Sequence, residues 1–105
     1  MSKLDEESKR PDKDIVVERI QTGVRMEKRM VKVLKGLAEY LDISLGDLLE
    51  GIVLHAFAGK APFSNLTLEQ ITRLKEVYGM DYGVEASHHL RENSPQQKEQ
   101  NNDTV

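Results

Sequence analysis

Three polar side chains close to the N-terminus have the type and spacing needed to contact nucleic-acid bases. Arg19, Gln21 and Arg25 lie at alternate positions of the stretch 19–26, together with Gly23. The positions between them carry Ile20, Thr22, Val24 and Met26. This alternation predicts a β-strand with one buried face and one exposed face. Arginine and glutamine on the exposed face offer the hydrogen-bonding groups that recognise base edges.

The predicted strand at 19–26 has no second strand of similar quality in the sequence. A single strand leaves both rows of its backbone N–H and C=O groups unpaired, and isolated strands are not stable in water. We therefore expect the strand to pair with another copy of the same chain.

Two amphipathic helices are predicted to follow the strand. Apolar residues from Met30 to Leu41 recur with helical spacing, after an acidic Glu27 that suits the start of a helix. Gly36 interrupts this helix with a weak helix former, which suggests a close contact. Ser44 is a good N-cap for a second helix, 45–58, whose apolar residues cover most of its circumference. Such a helix must be buried, and a second chain would bury it.

The C-terminal part of the sequence predicts two further helices. One spans 67–78 with Thr67 as its N-cap and Gly79 as its end. A short last helix is predicted at about 83–91. We expect both to dock on the dimer or on another protein.

Composition and charge distribution narrow the classes of function that the sequence allows. The net charge is −3, yet 19–35 carries six basic residues against one acid, whereas 36–58 carries four acids and no lysine or arginine. The basic segment would give a local positive surface. The chain has no cysteine, no long apolar run and no recognisable catalytic motif. We therefore expect a cytoplasmic protein that does not enter membranes, is not an enzyme and uses no cofactor or metal, with Glu85, His88 and His89 as ordinary surface residues.

The order of strand, helix, three-residue turn and Ser-capped helix over 20–57 resembles the ribbon-helix-helix family of dimeric DNA-binding proteins, the class of the Arc and MetJ repressors. The resemblance implies a mainly α fold: a ribbon-helix-helix homodimer with an intermolecular two-stranded antiparallel β-ribbon in the major groove, here with a C-terminal helical extension. A helix-turn-helix alternative would use 45–58 for recognition, but that helix has no Arg, Lys, Asn or Gln to contact a base.

The resemblance also assigns residues to the DNA and to the dimer. Gln21, Gly23 and Arg25, helped by Arg19, would contact bases, with Arg25 suited to guanine and Gln21 to adenine. Gly23 has no side chain for this task. The DNA phosphates would meet Lys28, Ser44 and the backbone N–H groups of Leu45 and Gly46. The dimer core would comprise Val24, Leu34, Leu37, Leu41, Ile43, Leu48, Leu49, Ile52, Val53 and Phe57.

The sequence thus predicts disordered tails at 1–14 and 92–105, a ribbon-helix-helix domain at 15–61 and a helical extension at 62–91. We expect an obligate homodimer, with higher-order assembly on DNA as an option, that binds double-stranded DNA as a repressor or antitoxin-like autoregulator. Residues 62–105 would be available to a protein partner. The alternative is a scaffolding dimer of the same fold without specific DNA binding, which Gly23, Asp47 and the acidic total charge favour.

Overall fold

A computed structural model describes residues 14–93, which form three α-helices and one short 3-10 helix. Helix α1 spans Lys28–Leu41, α2 spans Leu45–Phe57 and α3 spans Asn65–Tyr78, and the 3-10 helix spans Val84–Ala86. Helix α1 packs against both α2 and α3 and is the centre of the fold. None of these helices is long and apolar enough to cross a membrane. The predicted disordered tails lie almost entirely outside the described residues.

The first two helices lie where their sequence signals predicted them. Ser44 caps α2, because its Oγ accepts a hydrogen bond of 3.0 Å from the backbone N–H of Asp47. Asp42 ends α1 in the left-handed conformation with φ at 61°, which Asp tolerates better than most residues. This reversal turns the chain directly into α2.

The predictions for the C-terminal helices need correction. Ser64, not Thr67, is the N-cap of α3, since its Oγ accepts from the backbone N–H of Thr67 at 3.3 Å. The sequence offers two capping residues three positions apart, and the earlier one starts the helix. The predicted last helix at 83–91 is only the 3-10 helix, where Val84 is exposed and finds no apolar surface to stabilise a longer helix.

The predicted ribbon-helix-helix fold is wrong. Residues 19–26 form neither strand nor helix, and no strand or sheet occurs anywhere in 14–93. The described chain is a three-helix, all-α protein, whereas the predicted fold requires a β-ribbon. The alternation at 19–26 describes the two faces of a single strand, but a strand also needs a partner backbone, and no other described segment supplies one.

The core is small and centred on α1. Its buried side chains are Val33, Leu37 and Ala38 of α1 and Leu48 of α2. Half-buried apolar residues from all three helices and from the loop before α3 pack around it, namely Leu34, Leu41, Leu45, Ile52, Phe63, Ile71 and Leu74.

The residues predicted to form a dimer core divide into three groups. Leu37 and Leu48 are buried within one chain. Four more are half-buried: Leu34, Leu41, Leu49 and Ile52. The remaining four are exposed: Val24, Ile43, Val53 and Phe57. Within one chain, helix α2 is therefore not buried all round. Its composition had predicted such burial, with a second chain covering part of the helix.

Gly36 lies where α1 and α3 approach each other, which confirms the close contact predicted at this position. A Cβ atom at Gly36 would lie 3.0 Å from Cδ2 of Leu74. That distance is shorter than ordinary contacts between carbon atoms, so the Leu74 side chain would have to shift slightly. By contrast, a Cβ at Gly51 of α2 would meet no atom within 4 Å.

Alanine at these two glycines should separate helix propensity from packing. Gly51→Ala should raise the free energy of unfolding by up to about 1 kcal/mol, because alanine is the better helix former. Gly36→Ala should gain clearly less or lose stability, because its methyl group presses on Leu74. Urea unfolding of both variants and the parent measures the difference, and equal gains would contradict the close contact.

Candidate nucleic-acid interface

Residues 14–26, here called the extended segment, carry the side chains predicted to contact bases. All thirteen residues are exposed, and their backbone makes no hydrogen bond to another described residue. The structure therefore presents Arg19, Gln21, Gly23 and Arg25 at the surface, with side chains that do not take part in the core.

Two ion pairs connect the extended segment to the rest of the chain. Arg19 donates from Nε and Nη2 to the two carboxylate oxygens of Glu50 in α2, each at 2.8 Å. Arg25 donates from Nη2 to the carboxylate of Glu92, which follows the 3-10 helix. The hydrogen bonds with Glu50, and then its charge, raise the pKa of Arg19, and the same contact lowers the pKa of Glu50. Gln21 has no side-chain hydrogen bond to a described residue.

A polar cluster around Glu27 fixes the point where the extended segment meets α1. The Glu27 carboxylate caps α1 by accepting from the backbone N–H groups of Arg29 and Met30, at 3.1 and 3.3 Å. It also accepts from Arg29 Nε at 3.0 Å and from the Tyr82 hydroxyl at 2.6 Å. One carboxylate thus joins the start of α1 to the loop that follows α3.

Arg29 makes the second set of contacts to that loop. Its Nη1 donates to the carbonyl oxygen of Gly79 at 3.0 Å and to Oδ1 of Asp81 at 3.4 Å. Its guanidinium carbon lies 5.5 Å from the centre of the Tyr82 ring, within the range of a cation–π contact. Because Arg29 is engaged in this way, we assign it to the structure of the protein rather than to DNA.

The cluster shifts the pKa values of two of its members. The hydrogen bond from Tyr82, with help from Arg29, lowers the pKa of Glu27 to about 2, despite partial burial. Burial, followed by the hydrogen bond to Glu27, raises the pKa of Tyr82 to about 12. Both shifts favour an ionised Glu27 that accepts from a neutral Tyr82 hydroxyl.

Helix α1 adds a positive stripe beside the extended segment. Lys28, Lys32 and Lys35 are exposed and follow each other at helical spacings of four and three residues, so they share one face. The Nζ atom of Lys32 lies 5.7 Å from the centre of the Tyr78 ring, which places this lysine beside α3. The stripe begins three residues after Arg25 and extends the basic character of the surface along α1.

The predicted phosphate contacts at the start of α2 are structurally accessible. Ser44 uses its hydroxyl to cap Asp47, whereas the backbone N–H groups of Leu45 and Gly46 have no acceptor among the described residues. Gly46 is exposed and Leu45 is half-buried. The exposed Asp47 carboxylate lies in the same helical turn and would repel an approaching phosphate.

Among the other polar groups of residues 14–93, we considered one cleft and the clusters of histidines and acids. An open cleft of about 240 Å³ lies between α2 and the start of α3, with His55 on its wall. Nδ1 of His55 lies 2.7 Å from the carbonyl oxygen of Gly51, so this ring nitrogen makes a hydrogen bond within α2. Within 14–93 no group of three or more histidines and acids is arranged to hold a metal ion.

Sequence reasoning missed the partners of the predicted site residues. Glu50 and Glu92 lie 31 and 67 positions from the arginines that they bind. Tyr82 lies 55 positions from Glu27. No local pattern connects residues at such separations. Only the acid at Glu27 carried a usable signal, because it stands at the predicted start of a helix.

Comparison with known proteins finds no matching family model, curated protein or solved structure. The resemblance to the ribbon-helix-helix family therefore stays a prediction made from residue patterns, and the fold that it implied has been corrected above.

The Glu27 cluster predicts a specific loss of stability in acid. The pKa of Glu27 is about 2 in the folded chain, below the ordinary value of 4.5. Its contribution to stability is therefore complete above pH 4.5 and is lost as the pH falls towards 2. Glu27→Gln should lower the free energy of unfolding at pH 7 by about 1 kcal/mol, the usual effect of losing an N-cap, and should flatten its dependence on pH between 5 and 2.

Denaturant unfolding at pH 7, 4 and 3 measures this effect. Glu39→Gln, at an exposed position of the same helix, is the control with the same change of charge. Tyr82→Phe should flatten the profile partly, because it removes the strongest hydrogen bond to Glu27. If Glu27→Gln and Glu39→Gln had the same pH profile, the cluster would not be the source of the acid dependence.

Proposed function

We propose that this protein is a DNA-binding transcriptional regulator that acts as a homodimer in the cytoplasm. The observation that carries the proposal is the exposure of Arg19, Gln21 and Arg25 on a segment outside the core, next to the lysine stripe of α1. The side chains able to recognise bases and those able to bind phosphates thus lie close together in the chain.

The two groups of side chains would divide the work of recognition. Lys28, Lys32 and Lys35 would contact phosphates and give affinity that does not depend on sequence and falls with salt. Gln21 and Arg25 would supply specificity, since a glutamine can make two hydrogen bonds to adenine and an arginine two to guanine. Gly23 lets the backbone approach the DNA at the centre of the segment but adds no contact of its own to a base edge.

A second copy of the chain is the proposed occupant of the outer face of α2. Val53, Leu54 and Phe57 lie on this face with 43, 66 and 82% of their surface exposed. They follow Glu50 at helical spacing, and Glu50 holds Arg19 of the extended segment, whose Ile20 and Val24 are also exposed. The buried core of residues 14–93 is small, so association that covers these residues would supply apolar burial that the described part of one chain lacks.

Within this class, the protein would repress transcription by occupying promoter DNA, either as a simple repressor or as an antitoxin-like autoregulator. In the second case the C-terminal region 62–105 would bind a protein partner. Side by side binding of dimers on longer operators would give the higher-order assembly.

A protein-interaction dimer without DNA binding is the second candidate. It is favoured by one observation, namely that Arg19 and Arg25 are both already paired with carboxylates of the same chain. The net charge of −3 and the acid at Asp47 point the same way.

DNA binding can be tested at the segment itself. A preferred duplex is first selected from a random-sequence pool with the full-length chain. Arg25→Ala and Gln21→Ala should each weaken binding to that duplex by about 1–3 kcal/mol and relax its sequence preference. Lys28→Ala should instead weaken binding to all duplexes similarly. It should also reduce by about one the slope of the logarithm of the binding constant against the logarithm of salt concentration. Fluorescence anisotropy over a series of salt concentrations measures each effect.

Arg73→Ala is the matched control for Arg25→Ala. Arg73 is an exposed arginine of α3, where it donates to Gln70 at 3.2 Å, outside the proposed contact surface. It should leave sequence preference unchanged. Equal effects of Arg25→Ala and Arg73→Ala would reject base contact by the extended segment. Failure of the parent to bind any duplex above nonspecific levels would favour the protein-interaction dimer.

Dimerisation through α2 has a separate test. Leu54→Glu with Phe57→Glu should convert a parent dimer into a monomer or unfold it at low micromolar concentration, because two charges would enter an apolar interface. Leu66→Glu, at an exposed leucine of α3, should leave the dimer intact. Sedimentation velocity with circular dichroism reports both mass and folding. A parent that sediments as a folded monomer would reject the dimer.

A further inference from the structure

The two arginines of the extended segment are bound by acids from two different parts of the chain. Glu50 reaches Arg19 from α2, and Glu92 reaches Arg25 from the segment after the 3-10 helix. The first pair is bidentate, with both Glu50 oxygens at 2.8 Å from guanidinium nitrogens. Gln21, which lies between the arginines, has no such partner among the described residues.

A carboxylate and a DNA acceptor compete for the same donors. The guanidinium group presents its N–H donors as a planar fork that fits two acceptor atoms side by side, whether in a carboxylate, a phosphate or the edge of guanine. Arg19 uses Nε and Nη2 for Glu50, so this side of its fork cannot bind DNA at the same time. Arg25 likewise has Nη2 engaged by Glu92.

Both ion pairs are open to water, which makes them exchangeable. The side chains of Arg19 and Glu50 are 69 and 49% exposed, and those of Arg25 and Glu92 are 79 and 54% exposed. Exposed pairs of this kind contribute little free energy, equivalent to about a one- to fivefold change in an equilibrium constant. They can therefore weaken DNA binding without preventing it.

We propose that Glu50 and Glu92 act as intramolecular competitors of DNA, holding Arg19 and Arg25 in the free protein and releasing them when DNA binds. This inference rests on the proposed function, and it names the two residues that would limit the affinity of the protein for DNA. In the free chain, Glu50 of α2 and Glu92 bind the two arginines of the extended segment. When the segment binds DNA, these two ion pairs must break.

Removal of the competing charges should increase affinity. In anisotropy titrations with the full-length chain and the selected duplex, Glu50→Gln and Glu92→Gln should each tighten binding about two- to fivefold. The double variant should tighten it by about four- to twenty-fivefold if the two sites are independent. The control is the double variant Glu69→Gln with Glu76→Gln, which removes the same charge from exposed positions of α3.

A double-mutant cycle distinguishes competition from a general change of charge. In an Arg19→Ala background, Glu50→Gln should give no more gain than the control, because the arginine that it releases is absent. The same should hold for Glu92→Gln in an Arg25→Ala background. Circular dichroism of each variant establishes that it is folded.

The outcomes separate this inference from the proposed function. If the parent binds DNA selectively and the Glu50 and Glu92 variants bind no better than the control pair, intramolecular competition is wrong and DNA binding stands. If the parent binds DNA selectively and the Glu50 and Glu92 variants bind more tightly than the control pair, both are supported. If neither the parent nor any variant binds above nonspecific levels, both are overturned.

Discussion

The Glu27 carboxylate joins the start of α1 to the loop after α3, at the point where the extended segment ends. It caps α1 through the N–H groups of Arg29 and Met30, and it holds the loop after α3 through the Tyr82 hydroxyl. The extended segment ends at the preceding residue. Because α1 is also the helix that packs on both others, this one carboxylate ties the start of the central helix to the loop after α3.

The fold and the interface were predictable to different degrees. Helices α1 and α2 and the Ser44 cap follow from apolar spacing and a capping residue, which are local signals. The strand was wrong because alternation at 19–26 specifies an extended backbone and cannot supply a second one. The start of α3 was wrong because Ser64 and Thr67 are both suitable caps. The pairs Arg19–Glu50, Arg25–Glu92 and Glu27–Tyr82 depend on how the helices pack, and no neighbouring residues encode them.

The two faces of helix α2 have different contacts. Its inner face supplies Leu48 to the core, whereas Val53, Leu54 and Phe57 on its outer face remain exposed. Glu50 adjoins that outer face and binds Arg19. A partner chain on α2 would therefore lie beside one of the two contacts that hold the extended segment, which makes dimer formation and the position of this segment physically coupled in the proposed assembly.

The extended segment lies outside the core, so the proposed recognition and the stability of the fold depend on different residues. Its thirteen residues can span up to about 45 Å, roughly twice the length of α1 at about 21 Å. None of their side chains is buried. In the proposed function, substitutions along this length would change what the protein contacts while leaving Leu37, Leu48 and their neighbours undisturbed. If this segment binds DNA as proposed, new target sequences could be specified by altering a linear stretch of surface without repacking the core.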